Sequence, residues 1–350
     1  MNVGLVGFLG SGKSTLYRAA AKGMAKGDVT AVPVPDTRFD QIVAQVKPKK
    51  ATPATITFHD NIEGFQGDSA KKISQHAIDN CRKMDLILHV VRGFDNPIYP
   101  YFSEVNPLRD AQALEEEFLL LDLQVVENRL TKLKRSAATK TPGSPEYNEK
   151  MIFDRLLEPL SEGTPIKDMD LSEEELNSLK GFQFLSAKTI VTAINVPEGD
   201  VNDSNLQSEV DKRNQAGMPT FIVSAPIEEE IAQLEADDQA EFLKDLGIEQ
   251  PASDKVIKTI YDALGLITFF TAGETDTRAW PLRVGSTAVK AADTIHSDIA
   301  KGFIRAEVVH FQDYVDSGSL DDAYKEKKMK LEGKEYIVQD GDLLHIRNKT

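Results

Sequence analysis

Nine consecutive residues near the start of the chain, Gly7-Phe8-Leu9-Gly10-Ser11-Gly12-Lys13-Ser14-Thr15, carry its most legible chemistry. They fit G-x-x-x-x-G-K-[S/T]. The apolar run Val3-Gly4-Leu5-Val6 before them reads as a strand, and the residues from about 14 to 21 read as a helix. Glycines let the backbone curl until successive N–H groups converge on phosphate oxygens, and the helix N-terminus adds its positive end to the same anion. In such a loop Lys13 reaches the outer phosphates and neutralises charge developing on the transferred phosphoryl group. The Ser14 hydroxyl holds Mg²⁺, and Gly10, Ser11, Gly12 and Thr15 complete the cradle. The pattern predicts a bound nucleoside triphosphate.

Other reactive side chains form no comparable group. His59 and His89 fall on strands and His76 and His296 on helices, none with a second His or a Cys at metal-ligand spacing. Cys81 is the only cysteine, so no internal disulfide can form, and it reads as an inert thiol beside Arg82. Lys47-Pro48-Lys49-Lys50, Lys132-Leu133-Lys134-Arg135 and the run from 325 to 330 are local basic clusters in an acidic chain.

The elements that must position the loop follow from hydrophobic patterning. Thr55-Ile56-Thr57-Phe58-His59 alternates, and Leu86-Ile87-Leu88-His89-Val90-Val91 is nearly all apolar, as in a strand covered on both faces. Strands at 189–194 and 220–223 end at Asn195 and Ser224-Ala225. Helices are expected at about 36–43, 70–82 and 227–236. This alternation predicts an α/β, doubly wound, mostly parallel sheet with its ligand at the carboxyl ends of the strands. Between residues 107 and 185 the pattern is helical: Leu114, Phe118, Leu121 and Val125 form one stripe, and Met151, Leu156, Leu157 and Leu160 a second. Ser172 and Glu175 form a capping box. From 265 onward short strands at 266–270, 279–283, 305–309, 335–338 and 343–346, with a helix carrying Ala288, Ala291, Ala292 and Ile295, suggest a separate α+β module. The expected domains are 1–106 with 186–264, an inserted helical hairpin at 107–185, and 265–350.

With 350 residues, 41% of them hydrophobic and 28% charged, the chain can bury a sizeable core. Its net charge of −15 argues against a general electrostatic grip on nucleic acid, though not against a local basic patch. A single cysteine and no apolar run of about 18 residues point to a reducing cytoplasm and no membrane partner. A monomer is expected.

Nearly the whole chain resembles the YchF, or Obg-like, ATPases of the translation-factor class of P-loop GTPases. The likeness rests on the phosphate loop, Val32-Pro33-Val34-Pro35-Asp36, the segment from Asp85 to Arg92, and Asn195-Val196-Pro197-Glu198. Thr271-Ala272-Gly273-Glu274, Arg278-Ala279-Trp280 and Lys301-Gly302-Phe303-Ile304-Arg305-Ala306-Glu307 add to it. The resemblance implies a G-domain-like sheet, a coiled-coil arm and a C-terminal β-grasp (TGS-like) domain. It implies Asn195 and Glu198, with Ser224 and Ala225, around the base. Ordinary GTPases carry Asn-Lys-x-Asp there, the Asp accepting two hydrogen bonds from guanine. A Glu in that place, and no Lys, removes much of the guanine preference, so the resemblance implies ATP over GTP. It also implies the ribosome or its RNA as partner, met through the basic clusters by phosphate contact.

Three departures bear on catalysis. Residues 22–30 are short for a switch segment, and Thr30 is their only threonine. The Asp-x-x-Gly element reads Asp60-Asn61-Ile62-Glu63-Gly64, one residue too long. Either Asp60 keeps its place beside Mg²⁺ with a bulge after it, or Asn61 takes that place without a charge. Phe65 follows where many GTPases have a water-orienting Gln. Two readings therefore stand: an NTPase hydrolysing ATP to ADP and phosphate, or a nucleotide-dependent binding module that does not turn over.

Overall fold

The computed structural model describes residues 1–63, 73–100, 103–136, 139, 141–234, 236–245 and 250–349. Gly64 and Phe65 lie outside them, as does the start of the helix expected at 70–82. In chain order the strands are β1 (Asn2–Val6), β2 (Val29–Pro33), β3 (Ala51–Thr52), β4 (Thr55–His59), β5 (Leu86–Arg92), β6 (Thr189–Asn195), β7 (Thr220–Val223), β8 (Leu266–Thr271), β9 (Thr277–Arg283), β10 (Phe303–His310), β11 (Lys330–Glu332) and β12 (Asp342–Asn348). They make two six-stranded sheets, ordered β2-β4-β1-β5-β6-β7 and β11-β10-β12-β8-β9-β3. By contact the chain divides into one unit of Met1–Thr30 with Thr57–Ser253 and another of Ala31–Ile56 with Asp254–Thr350.

In the first unit β1 pairs in parallel with β4 and β5, and β5–β6–β7 continue in parallel. Every residue of β5 is buried, as its nearly all-apolar run predicts, and the burial includes His89 and Arg92. Val6, Phe8, Ile62, Ile78, Cys81, Met84, Ile87, Leu114, Phe118 and Leu185 form one core cluster. Burying a Phe or Ile there contributes about 1.5–3 kcal/mol each. The helix before β5 is Gln75–Lys83, capped by the Ser74 hydroxyl on Ala77 N. Burial pushes the Cys81 thiol up to about 12, so it stays protonated and inert.

The long helix Pro107–Lys134 and the helix Pro145–Ser161 join through Val126, Leu130, Phe153, Leu156 and Leu160. Its buried face is Asp110, Ala111, Leu114, Phe118, Asp122, Val126, Leu130 and Leu133, so the expected Leu121 and Val125 sit at the edge of the stripe. Two aspartates lie on that face, which no hydrophobic pattern reveals. Asp122 accepts from Ser186 N at 2.6 Å, and desolvation holds its carboxyl above the usual range. The Ser172–Glu175 capping box forms with both bonds in place.

In the second unit the helix Ala288–Ile295 lays Ala288, Ala291 and Ala292 on Phe269, Leu282, Ala306 and Val308. Residues 31–56 join these strands: β3 pairs in parallel with β9, and Phe39, on the helix Thr37–Val46, stacks on Phe270 at 6.4 Å. The strand expected at 335–338 is not formed. That segment bonds instead to the turn before the helix, through Ala288 N to Tyr336 O and Val338 N to Ser286 O, leaving one bridge at Ile337. β10 pairs antiparallel with β12 on one side and β11 on the other, and the helices Phe311–Ser317 and Leu320–Lys325 lie between β10 and β11 in sequence.

Candidate functional site

Residues 7–12 leave the end of β1 and enter the helix Lys13–Ala20. The turn closes through Ser11 N to Phe8 O and Leu16 N to Gly12 O, with Gly12 at φ 90°. A Cβ on Gly12 would stand 2.1 Å from Asn195 Nδ2, so this position has neither the dihedral nor the space for a side chain.

Asn195 explains that closeness. It ends β6 and is buried, its amide donating to Ser11 O at 2.9 Å and accepting from Ala225 N at 2.9 Å. One side chain thus ties the phosphate loop to the N-terminus of the helix Ala225–Gln233. Ser224 and Ala225 are buried beside it. Both ends of the Asn195 amide are used within the protein, which makes it a brace between two loops. Val196 is buried with Ile194 and Val210, so the position held by Lys in ordinary GTPases is part of the core. Glu198 is exposed in the turn Glu198–Asp200.

Lys13 reaches across the strand ends. Its Nζ lies 2.8 Å from Asp60 Oδ1 and donates to the peptide oxygens of Asp60 at 3.2 Å and Ile62 at 2.8 Å. Ser14 is exposed and Thr15 half-buried, its hydroxyl accepting from Arg18 at 3.4 Å. Arg18 pairs with Glu229 on the Ala225–Gln233 helix, and that hydrogen bond raises the guanidinium further above its ordinary value.

The short segment after the first helix is anchored by Tyr17, a residue with no role in the sequence reading. Its hydroxyl lies 2.7 Å from Gly27 O and 2.8 Å from Thr30 Oγ1, while Asp60 N donates to Asp28 O. Thr30 therefore faces Tyr17. Of the basic clusters, Lys132, Lys134 and Arg135 are exposed, whereas Lys325 and Lys328 are paired with Asp322 and Glu326. Among the described residues no three His, Cys, Asp or Glu side chains are grouped to hold a metal. Among the described residues no helix is long and apolar enough to cross a membrane.

A parallel α/β sheet whose first strand opens into this loop defines a phosphate-loop protein of the G-domain type. Over 358 residues it is 37% identical to the ribosome-binding ATPase YchF of Pasteurella multocida, with 98% of both chains covered. The protein of the same name from Bacillus subtilis is 35% identical over 99% of each. The chain belongs to the YchF family. Residues 266–349 match the family described as YchF-GTPase_C, a protein of unknown function (DUF933). The structure titled YchF GTPase from Schizosaccharomyces pombe superposes with a TM-score of 0.87 at 28% identity, over 99% of this chain and 97% of that one.

Proposed function

We propose that this chain binds ATP in preference to GTP at residues 10–15, hydrolyses it to ADP and phosphate, and uses the bound state to govern docking on the ribosome. The observation that supports it most is the phosphate loop braced by Asn195 onto Ala225; with a nucleotide bound, that brace would hold the triphosphate end and the base end of one site in register. Gly10, Ser11, Gly12, Lys13, Ser14 and Thr15 hold the phosphates. Ser224, Ala225 and Glu198 border the base, and Lys13 neutralises phosphoryl charge.

The donor set fits Mg²⁺. Ser14 Oγ and the Asp60 carboxylate are hard oxygen ligands, and this ion is ordinarily held by one or two protein groups with phosphate and water supplying the rest. Ser14 and Asp60 would hold it, and when bound it would supply charge neutralisation at the phosphates. The names of the relatives support the ribosome as partner, met by the exposed basic residues at the end of the long helix.

One observation favours slow or absent turnover. Thr30, the single threonine of the short switch segment, is held on the Tyr17 hydroxyl. Calorimetry with ATP, GTP and their diphosphates, and steady-state phosphate release against a Lys13→Ala control, test both readings. Equal or tighter GTP binding defeats the ATP preference. Release no faster than the control leaves a binding module.

A further inference from the structure

Arg92 is the last residue of β5 and is 1% exposed. Burying a guanidinium is costly unless its donors are met by strong acceptors. Here they go to three peptide oxygens of the loop that follows: Nε to Phe94 O at 2.7 Å, Nη1 to Tyr99 O at 2.6 Å and Nη2 to Asn96 O at 3.4 Å. Its guanidinium also lies over the Phe94 ring at 5.2 Å. Asn96 Oδ1 adds bonds from Ile98 N at 2.9 Å and Tyr99 N at 3.4 Å. Gly93 N donates to Asn195 O at 2.8 Å. Residues 93–100, which lie in no helix or strand, are thereby fixed at several points by a rigid planar fork.

What that loop does is set Tyr99 on the crest of the phosphate loop. Gly10 has φ 77°, and a Cβ there would come within 2.9 Å of Tyr99 Cβ and 3.2 Å of its Cγ. Tyr99 itself is 45% exposed, so its place over Gly10 is not needed to fill a core.

We infer that Arg92 is a positioning residue for the nucleotide site, acting through Tyr99 as a fixed cover on Gly10 that slows release of the bound phosphates. The inference rests on the proposal that residues 10–15 bind a nucleotide. A wall held in place before binding lowers the ordering cost of the complex and acts chiefly on the dissociation rate. Because the cover lies on the loop's crest, it serves di- and triphosphates alike.

The test uses the full chain with ADP and ATP carrying a fluorescent ribose label, in wild type, Tyr99→Ala, Arg92→Lys, the double variant and Lys13→Ala. Tyr99→Ala changes an exposed side chain and is expected to keep the wild-type melting temperature. Both single variants are expected to speed dissociation of ADP and ATP by about ten-fold, the lower end of what outer supports of a site cost, with association unchanged. The double variant is expected to be no faster than the stronger single, because the two act through one contact. A purely structural Arg92 would lower the melting temperature while leaving the dissociation rate alone. Wild-type dissociation in Tyr99→Ala, or multiplying effects in the double variant, overturns the inference, and Tyr99→Ala alone decides it should Arg92→Lys fail to fold. Wild-type protein that binds neither nucleotide overturns the nucleotide reading and this inference with it.

Discussion

The Lys13 ammonium and the Asp60 carboxylate are in direct contact at 2.8 Å, with both side chains largely buried. The lysine's other contacts are the Asp60 and Ile62 peptide oxygens, so the group meant for phosphate is fully engaged by the end of β4. Phosphate must compete for it. Asp60→Asn weakens the hold and also removes an oxygen ligand suited to Mg²⁺. ADP without metal is then expected to bind about five-fold tighter, equivalent to ~1 kcal/mol, while the gain from adding Mg²⁺ shrinks. Calorimetry with and without Mg²⁺ reads both changes; unaltered metal dependence would place the cation elsewhere.

Asn195 carries a second prediction. Asn195→Ala leaves Ser11 O and Ala225 N buried without their partner, a loss of about 2–4 kcal/mol in all. Asn195→Asp keeps the acceptor toward Ala225 N but cannot donate to Ser11 O. The alanine variant should lower urea-unfolding stability and abolish nucleotide binding, and the aspartate variant should lose binding with a smaller stability loss. If either variant binds as wild type does, the brace is dispensable.

How far these features could be read from sequence depends on how local their physics is. The phosphate loop was legible because its glycines, lysine and flanking strand and helix are contiguous. The doubly wound parallel sheet followed from alternation of apolar runs and helices, but its strand order, with β1 between β4 and β5, did not. The inward role of Asn195 was not legible, because it depends on β6 ending level with β7, Asn195 opposite Val223. The partners of Lys13 lie 47 and 49 positions away, and Tyr17 meets Thr30 only after the chain has turned back. Arg92 ends a segment that resembles the family, yet its bonds go to backbone oxygens, which carry no residue identity. Tyr336-Ile337-Val338 is a β-favouring run, as a strand would carry, but the segment bonds to a turn, a competition that local sequence cannot see.

Arg38 shows why residues 31–56 join the C-terminal strands. Its guanidinium bonds the Asp36 carboxylate at 2.8 Å and Asp340 at 2.7 Å, lies 5.6 Å from the Phe270 ring centroid, and shares Asp340 with the Thr268 amide. Asp340 is half exposed, so solvent screening keeps its share modest. Asp340→Ala is expected to cost about 1 kcal/mol and to speed hydrogen exchange at the Thr268 amide. Exchange at Thr268 unchanged from wild type would show that another group holds that amide.

His89 sets a pH dependence. It is fully buried on β5, and desolvation, with the Arg213 charge adding to it, pushes its imidazole down to about 3. Unfolded, the same ring takes a proton below about 6.5. Between those values the unfolded chain binds more protons, so stability is complete above about pH 6.5 and falls as pH is lowered toward 3. One such proton corresponds to about 1.4 kcal/mol per pH unit. His59 is lowered in the same direction by partial burial and the nearby N-terminus, and adds to the slope. Urea unfolding between pH 6.5 and 5, above most carboxyl titrations, isolates the histidines. His89→Gln should flatten the slope by close to one proton while His59→Gln removes less. An unchanged slope in His89→Gln would mean that the ring is protonated in the folded chain, and β5 would then have to hold a second buried cation three residues before Arg92.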